Sequence, residues 1–331
     1  MRYLATLAFL LAMPAAVPAH AETCHGQNLI AALPPADVAA LKAKAEVPFA
    51  HGNLWQATKG GQQIILAGTY HLNDPRFAPI LALLTPRLAA SNTLLVEAGP
   101  LEEEALKAKI ARDPSLMMLT KGPTLPEQLA PEDWARLADA LRARGMLPAM
   151  AAKMQPWLVA SMLEMPACMF PIAPDMAEGL DKQLIALAQA TGKPIKALEP
   201  PDAILSIFGK ITPSQQLDML MQTVATDAQS DDMATTLSDA YFSGESRLFW
   251  EFTALQTQNL PGMTPEKAAA EMALIDHAMI ASRNATWIPV LEAEAAHGPV
   301  LAAFGALHLP GETGVLNLLA QSGWHLSPLA P

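Results

Sequence analysis

The chain has few charged residues, and positive charge is the scarcer kind. Only 16% of its 331 residues are charged, and 21 lysines and arginines face 32 aspartates and glutamates, which gives a net charge of −11. No lysine- or arginine-rich run is present to neutralise phosphates, so the sequence argues against nucleic acid as a partner. Because 51% of the residues are hydrophobic, the composition excludes a disordered chain and allows a large core.

Long apolar runs are missing beyond the first residues. The chain begins with Arg2, an apolar run over 3–17 and the small-x-small sequence Ala-His-Ala that ends at Ala21. This pattern is typical of a secretory signal peptide, and the apolar run is short for a membrane span. We therefore expect cleavage after Ala21 rather than an uncleaved anchor. The mature protein, 22–331, is expected to be periplasmic or secreted and to have no stable membrane span.

Cysteine is nearly absent, with Cys24 and Cys168 as the only two. In an oxidising compartment an isolated pair is a candidate disulfide, which here would join the mature N-terminus to the middle of the chain. Two unpaired thiols are the alternative. We expect the disulfide, and a non-reducing mass measurement that found two free thiols would contradict it.

Short apolar runs alternate with helical patterns along the chain. The predicted strands are a hairpin over 53–69, which turns at Gly60-Gly61, and the segments 92–98, 193–200, 298–307 and 323–329. Helical spacing is found over 74–90, 131–145, 179–193, 212–228, 264–297 and 311–323. This alternation favours an α/β fold with a small, largely parallel sheet. We expect a single domain over 22–331, with extensive helical insertions at about 101–178 and 201–297.

Two similar motifs carry histidines at the ends of predicted strands. Gly68-x-x-His71 follows one strand and Gly305-x-x-His308 follows another, and we expect both glycines to let the backbone turn sharply there. Glu97 and Glu199 end two further strands. If the sheet is parallel, the four polar side chains emerge at one edge, where α/β sheets place their ligand sites.

Two imidazoles and a carboxylate suit a borderline divalent metal such as Mn, Co or Zn, with positions left open for water. Such a metal would make hydroxide available near neutral pH. The second carboxylate could be a ligand, a base or a group that orients an imidazole. Each Gly-x-x-His is a weak pattern by itself, and only the joint placement points to a metal site.

The helical pattern over 264–297 predicts one long helix or two abutting helices. Arg283 and Asn284 follow its stretch MALIDHAMIAS and could orient a carboxyl or phosphate group. Their spacing in the sequence alone favours the interpretation that this pair lies at the end of a surface helix. No Gly-x-Ser-x-Gly, Walker A, Rossmann or His-Glu-x-x-His motif is present in the chain.

With these residues identified, the sequence resembles the TraB/GumN family, which is related to the Tiki proteins. The similar segments, in order, are LAGTYHLNDPR, LLVEAGP, GLDKQLIALAQATGKPIKALEP, SRNATWIPVLEA and AFGALHLPGETGVLNLLAQSGW. The resemblance implies an α/β fold, shared with erythromycin esterase-like and ChaN-like proteins. It also implies a metal site at His71, Glu97 and His308, and it makes Arg283 and Asn284 part of the site.

The resemblance leaves two functions open. The first is a metal-dependent hydrolase, most simply a protease acting on a peptide or protein, with Glu97, Glu199, Arg283 and Asn284 as catalytic residues. The second is a non-catalytic binding or accessory protein, which would bind haem or be associated with exopolysaccharide. In that case the same histidines would be haem ligands or structural residues.

Overall fold

The computed structural model describes residues 26–170, 178–260 and 262–330. The signal peptide predicted over 1–21 and the predicted disulfide partner Cys24 lie outside the described residues. The cleavage, the disulfide to Cys168 and the extent of the domain therefore stay predictions. Within the described ranges, no helix has both the length and the apolarity needed to cross a membrane.

The centre of the molecule is a six-stranded sheet in the order β4-β3-β5-β2-β1-β6. The strands are β1 Leu54–Lys59, β2 Gln62–Thr69, β3 Thr93–Val96, β4 Ile195–Ala197, β5 Val300–Gly305 and β6 His325–Pro328. Neighbours among β4, β3, β5 and β2 are parallel, whereas β1 is antiparallel to both β2 and β6. This confirms the largely parallel sheet with an N-terminal hairpin.

The hairpin has the predicted turn. Lys59 pairs with Gln62, so only Gly60 and Gly61 connect the two strands. Their φ angles are 55° and 85°, in the left-handed region that a tight two-residue hairpin turn requires.

Fifteen α-helices surround the sheet in the described residues. They are α1 Pro35–Ala45, α2 Phe77–Ala90, α3 Pro100–Arg112, α4 Leu125–Gln128, α5 Pro131–Ala143, α6 Pro148–Ala151, α7 Pro156–Leu163, α8 Leu180–Ala190, α9 Ala203–Phe208, α10 Pro213–Thr226, α11 Ser230–Phe242, α12 Ser246–Gln258, α13 Pro265–Ile275, α14 Ser282–Ala295 and α15 Val315–Gln321. Eight of them carry proline at the first or second helical position, where its missing N–H costs no hydrogen bond. Prolines thus mark many of the helix starts, whereas Pro86 and Pro289 lie inside α2 and α14.

The segment predicted as one long or two abutting helices over 264–297 is a continuous helical path. A π-helical segment, Asp276–Ala281, joins α13 to α14. Such segments are rare and are frequently found at functional sites. Here the segment directly precedes Arg283 and Asn284.

Helices cover both faces of the sheet. The side chains of β5 alternate, with Leu301 and Ala303 on one face and Ala302 and Phe304 on the other. The first face packs against α2 and α8, and the second packs against α14 and α15. A fully buried leucine or phenylalanine in such a layer contributes about 1.5–3 kcal/mol to the free energy of unfolding.

The predicted helical insertions are confirmed, and they have cores of their own. α5, α7 and α10 form a separate cluster around Leu137, Val159 and Leu220. α1 and α12 form another, around Leu41 and Phe252. α5, α7 and α10 are therefore stabilised away from the sheet, whereas α14, at the end of the second insertion, packs against it.

Candidate active site

The four predicted polar residues lie at one edge of the sheet. Glu97 directly follows β3, whereas His71 and Glu199 each lie two residues beyond the end of β2 and β4. His308 ends a single 3-10 turn, Ala306–His308, that follows β5. Because these four strands are parallel neighbours, their carboxyl ends bring the side chains together.

Arg283 connects three of these side chains. Its Nη2 donates to Glu97 Oε2 at 2.6 Å and to Glu199 Oε1 at 2.7 Å, and its Nε donates to Glu199 Oε2 at 2.8 Å. Its Nη1 lies 3.2 Å from His308 Nε2. The guanidinium is therefore the centre of the cluster.

Both Arg283 and Asn284 are buried, with 8% and 0% of their surface exposed. The surface helix end that spacing alone favoured is wrong for this pair. The first residues of α14 point at the sheet edge, where two carboxylates compensate the buried guanidinium.

Glu199 uses both carboxylate oxygens on neighbouring donors. Besides the two contacts to Arg283, its Oε2 lies 3.3 Å from Trp287 Nε1. The guanidinium carbon of Arg283 lies 4.9 Å from the ring centre of Trp287. This geometry fits Glu199 as the residue that orients Arg283 and leaves it poorly placed to act as a free base.

The neighbours of His308 determine its tautomer. Its Nδ1 lies 2.6 Å from Asn284 Oδ1, an oxygen that can only accept, so Nδ1 carries the proton. Arg283 Nη1 can only donate, so Nε2 accepts with its lone pair. Burial, together with the positive charge of Arg283, lowers the pKa of His308 to about 3 even though Glu97 acts in the opposite direction. His308 is therefore neutral near pH 7.

Glu97 accepts hydrogen bonds on both oxygens, from Gly305 N to Oε1 at 2.7 Å and from Arg283 to Oε2. Burial by itself would raise the pKa of this carboxyl. The electrostatic interactions with His308, Arg283 and His71, together with the hydrogen bond from Gly305, outweigh burial and lower the pKa of Glu97 to about 2. Glu97 is therefore an anion at any pH where the protein is expected to work.

Gly305 marks the point where three side chains meet. A Cβ at this position would lie 3.4 Å from Glu97 Oε1, 3.5 Å from His71 Nε2 and 3.7 Å from His308 Cδ2. His71 thus aims its ring at the same small space as Glu97 and His308, although its side chain is 63% exposed. The convergence expected from the sequence is present in the structure.

Asp181 also belongs to the site, although the sequence motifs did not predict it. Its Oδ1 accepts from His71 Nδ1 at 3.3 Å, and this hydrogen bond raises the pKa of His71. The start of α8 reaches His71 because Leu180 N donates to Tyr70 O at 3.0 Å and because Gly179 packs directly on the His71 backbone. The sequence feature that could have indicated Asp181 is the triplet GLD, 179–181, which begins one of the segments similar to the TraB/GumN family. Its distance from His71 along the chain gave no reason to pair the two residues.

The two glycines of the Gly-x-x-His motifs act by size, and the expectation of sharp glycine turns is wrong. Gly68 lies inside β2, and Gly305, with φ −49°, ends β5; neither has a positive φ. A Cβ on Gly68 would lie 2.6 Å from Leu309 Cδ1 and 2.9 Å from Ala306 Cα. Gly68 therefore lets the turn that carries His308 pack against the neighbouring strand.

The described residues contain no group of three or more His, Cys, Asp or Glu side chains positioned to hold a metal. Arg283 takes up His308 Nε2 and Glu97 Oε2, which are two of the atoms that a metal would need. The donor types are nevertheless those of a divalent metal site. Glu97 Oε1 and His71 Nε2 face one small space at Gly305, and His308 borders it with its Cδ2 atom. A metal at this edge requires Arg283 to release His308 Nε2.

The comparisons with known proteins identify the family. A family model described as the TraB/PrgY/gumN family matches residues 53–328. No curated protein and no solved structure matches the chain. The matched residues include every strand and every site residue described above, so the chain belongs to the TraB/PrgY/gumN family.

Proposed function

We propose that the protein is a metal-dependent hydrolase that cleaves peptide bonds, with His71, Glu97 and His308 as the metal ligands. The observation that carries this proposal is the way both imidazoles are held. Asp181 binds His71 through Nδ1, and Asn284 binds His308 through Nδ1. In a neutral ring held through Nδ1, Nε2 is the nitrogen left to bind a metal, which is the arrangement usual for metal-ligating histidines. His308 Nε2 becomes available to the metal when Arg283 releases it.

The three proposed ligands differ in their exposure to solvent. His308 and Glu97 are held by buried partners, whereas His71 lies at the solvent side and leaves an approach for substrate. A bound divalent ion would lower the pKa of a water molecule and polarise a carbonyl group.

The remaining residues have separate roles in this proposal. Arg283 places a permanent positive charge beside the metal ligands, where it would stabilise the negative charge that develops on a carbonyl oxygen. Glu199 keeps the guanidinium in place through its two contacts at 2.7 and 2.8 Å. Asn284 sets the tautomer of His308, and its amide also donates to Thr313 O at 2.8 Å, which fixes its own orientation.

The test is a measurement of metal content and hydrolysis. The purified chain is loaded with Mn, Co or Zn, dialysed and analysed by mass spectrometry, and cleavage of a quenched fluorescent casein is followed. We expect about one ion per chain, and His71→Ala and His308→Ala each to lose both the ion and the cleavage. His51→Ala, at an exposed histidine that contacts Glu46, is the matched control and should change neither. Full metal content in the double variant of His71 and His308 would refute the proposal.

The haem-binding alternative requires both histidines to reach an iron atom. His308 is 4% exposed and lies 4.4 Å from the Trp287 ring, measured between ring centres, so a porphyrin has no room beside it. Haem titration provides the check. A Soret shift that is lost in His308→Ala would favour the binding protein over the hydrolase.

A further inference from the structure

A cavity of about 420 Å³ lies beside the site, between α12, α13, the π-helical segment and the turn that follows β5. Its volume is within the range of small-molecule and side-chain pockets in proteins. Apolar atoms of Trp250, Met272 and Leu307 form part of its wall. An alkyl chain would be buried favourably against them.

The charges around this cavity are unequal. Three carboxylates line it, those of Glu251, Asp276 and Glu312, against the single guanidinium of Arg247. Arg247 Nη2 donates to Glu251 Oε1 at 2.6 Å, so these two compensate each other. Asp276 and Glu312 make no ion pair with any residue in the described ranges. The cavity therefore offers two uncompensated negative charges next to an apolar wall.

The walls of the cavity belong to the two segments that hold the site. Ile280 lies in the π-helical segment, whose Met279 O accepts from Arg283 Nη1 at 3.2 Å. On the opposite wall, Leu307 precedes His308, and Thr313 O accepts from Asn284. A ligand in the cavity therefore contacts the π-helical segment that precedes α14, and the turn that carries His308.

We propose that this cavity binds a lysine or arginine side chain of the polypeptide on which the protein acts. The aliphatic part of that side chain packs against Trp250 and Met272, and its cationic end lies between Asp276 and Glu312. The proposal names a substrate class for the peptide hydrolysis proposed above and rests on it. Its test is a binding measurement that needs neither metal nor hydrolysis.

The probe is the blocked peptide acetyl-Ala-Ala-Lys-Ala-Ala-amide, titrated calorimetrically into metal-free protein at low salt. The comparison peptide has norleucine in place of lysine, which keeps the alkyl chain and removes the charge. We expect the lysine peptide to bind about fivefold more tightly, which is the order of preference that two partly exposed ion pairs provide. The preference should decrease at high salt, because screening weakens such pairs.

Variants of the two carboxylates locate the site. Asp276→Asn combined with Glu312→Gln should remove the preference for lysine, and Ala254→Trp, which fills the cavity, should abolish binding of both peptides. Glu132→Gln removes an exposed carboxylate on α5, away from the cavity, and should have no effect. Equal affinity for the two peptides would overturn the proposal, and so would an unchanged preference in the double variant. If the unmodified, metal-loaded protein does not cleave casein but the lysine peptide still binds preferentially, the enzyme function alone is refuted.

Discussion

Gly305→Ala is expected to change the metal affinity of the proposed site without lowering the free energy of unfolding. The backbone at Gly305 has φ −49° and ψ 133°, which alanine adopts without strain. The added methyl group would lie 3.4 to 3.7 Å from its nearest neighbours, which are ordinary contact distances. Since alanine also restricts the unfolded chain, we expect the free energy of unfolding to stay the same or to rise by up to about 1 kcal/mol.

The same methyl group is expected to disturb the ligand site. Its three nearest atoms are Glu97 Oε1, His71 Nε2 and His308 Cδ2, which belong to the three proposed ligands. A metal must lie within about 2.0–2.3 Å of each donor, so the methyl group would crowd any ion that the three side chains share. Overfilling a packed site costs about 1–3 kcal/mol, which corresponds to about a 5- to 150-fold loss of affinity.

The assay combines urea unfolding with a metal titration on the same preparation. Gly68→Ala is the comparison, because its Cβ would lie 2.9 Å from the backbone of Ala306 and should destabilise the fold itself. We therefore expect Gly305→Ala to lose metal affinity and keep stability, and Gly68→Ala to lose stability. If Gly305→Ala retains full affinity, the three side chains do not share one ligand.

Three further predictions concern hydrogen bonds and protonation. Asp181→Asn should lower the pKa of His71, which NMR titration of the metal-free protein would measure. It should also weaken metal binding about 10- to 100-fold. If neither the pKa nor the metal affinity changes, Asp181 has no role in the site. Because the folded-state pKa of His308 is about 3, below its usual 6.5, its contribution to stability is complete above about pH 6.5 and is lost as the pH falls toward 3. Each unit of pH in that window should remove up to about 1.4 kcal/mol from the free energy of unfolding in the metal-free protein, and His308→Gln should flatten this slope in urea titrations. Arg144→Met removes a fully buried guanidinium that lies 2.6 Å from Asp227. It should therefore lower the free energy of unfolding by about 3–5 kcal/mol. The folded fraction should still bind metal normally, and a loss of metal affinity would contradict a purely structural role for Arg144.

The strands and helix starts could be predicted from the sequence because their causes are local. Gly60-Gly61 between two β-type runs allows little except a tight hairpin, and that hairpin is present. Thr212 before Pro213 predicts the start of α10, where Thr212 Oγ1 accepts from Gln215 N. Residues that follow parallel strands must leave the sheet at the same edge, which is why His71 could be placed with the other three polar residues.

The contacts within the site could not be predicted, because they depend on how helices pack against the edge. Asp181 lies 110 residues after His71, and only the packing of α8 against the backbone at Tyr70 brings the two together. Arg283 looked like a surface residue from spacing, since a sequence does not show which turn of a long helical path faces the sheet. The roles of Glu199 and Asn284 depend on that same placement of α14.

By itself, the sequence determined the strand order along the chain, the polar residues at the strand ends and the family. These features follow from local pattern, because apolar runs and turn residues act within a few positions. The tertiary structure decided which side chains meet at Gly305, which partner each histidine has at Nδ1, and that a buried arginine joins both glutamates. Those outcomes arise from burial and from hydrogen bonds between distant segments, whose energies depend on distances that exist only after the chain has folded.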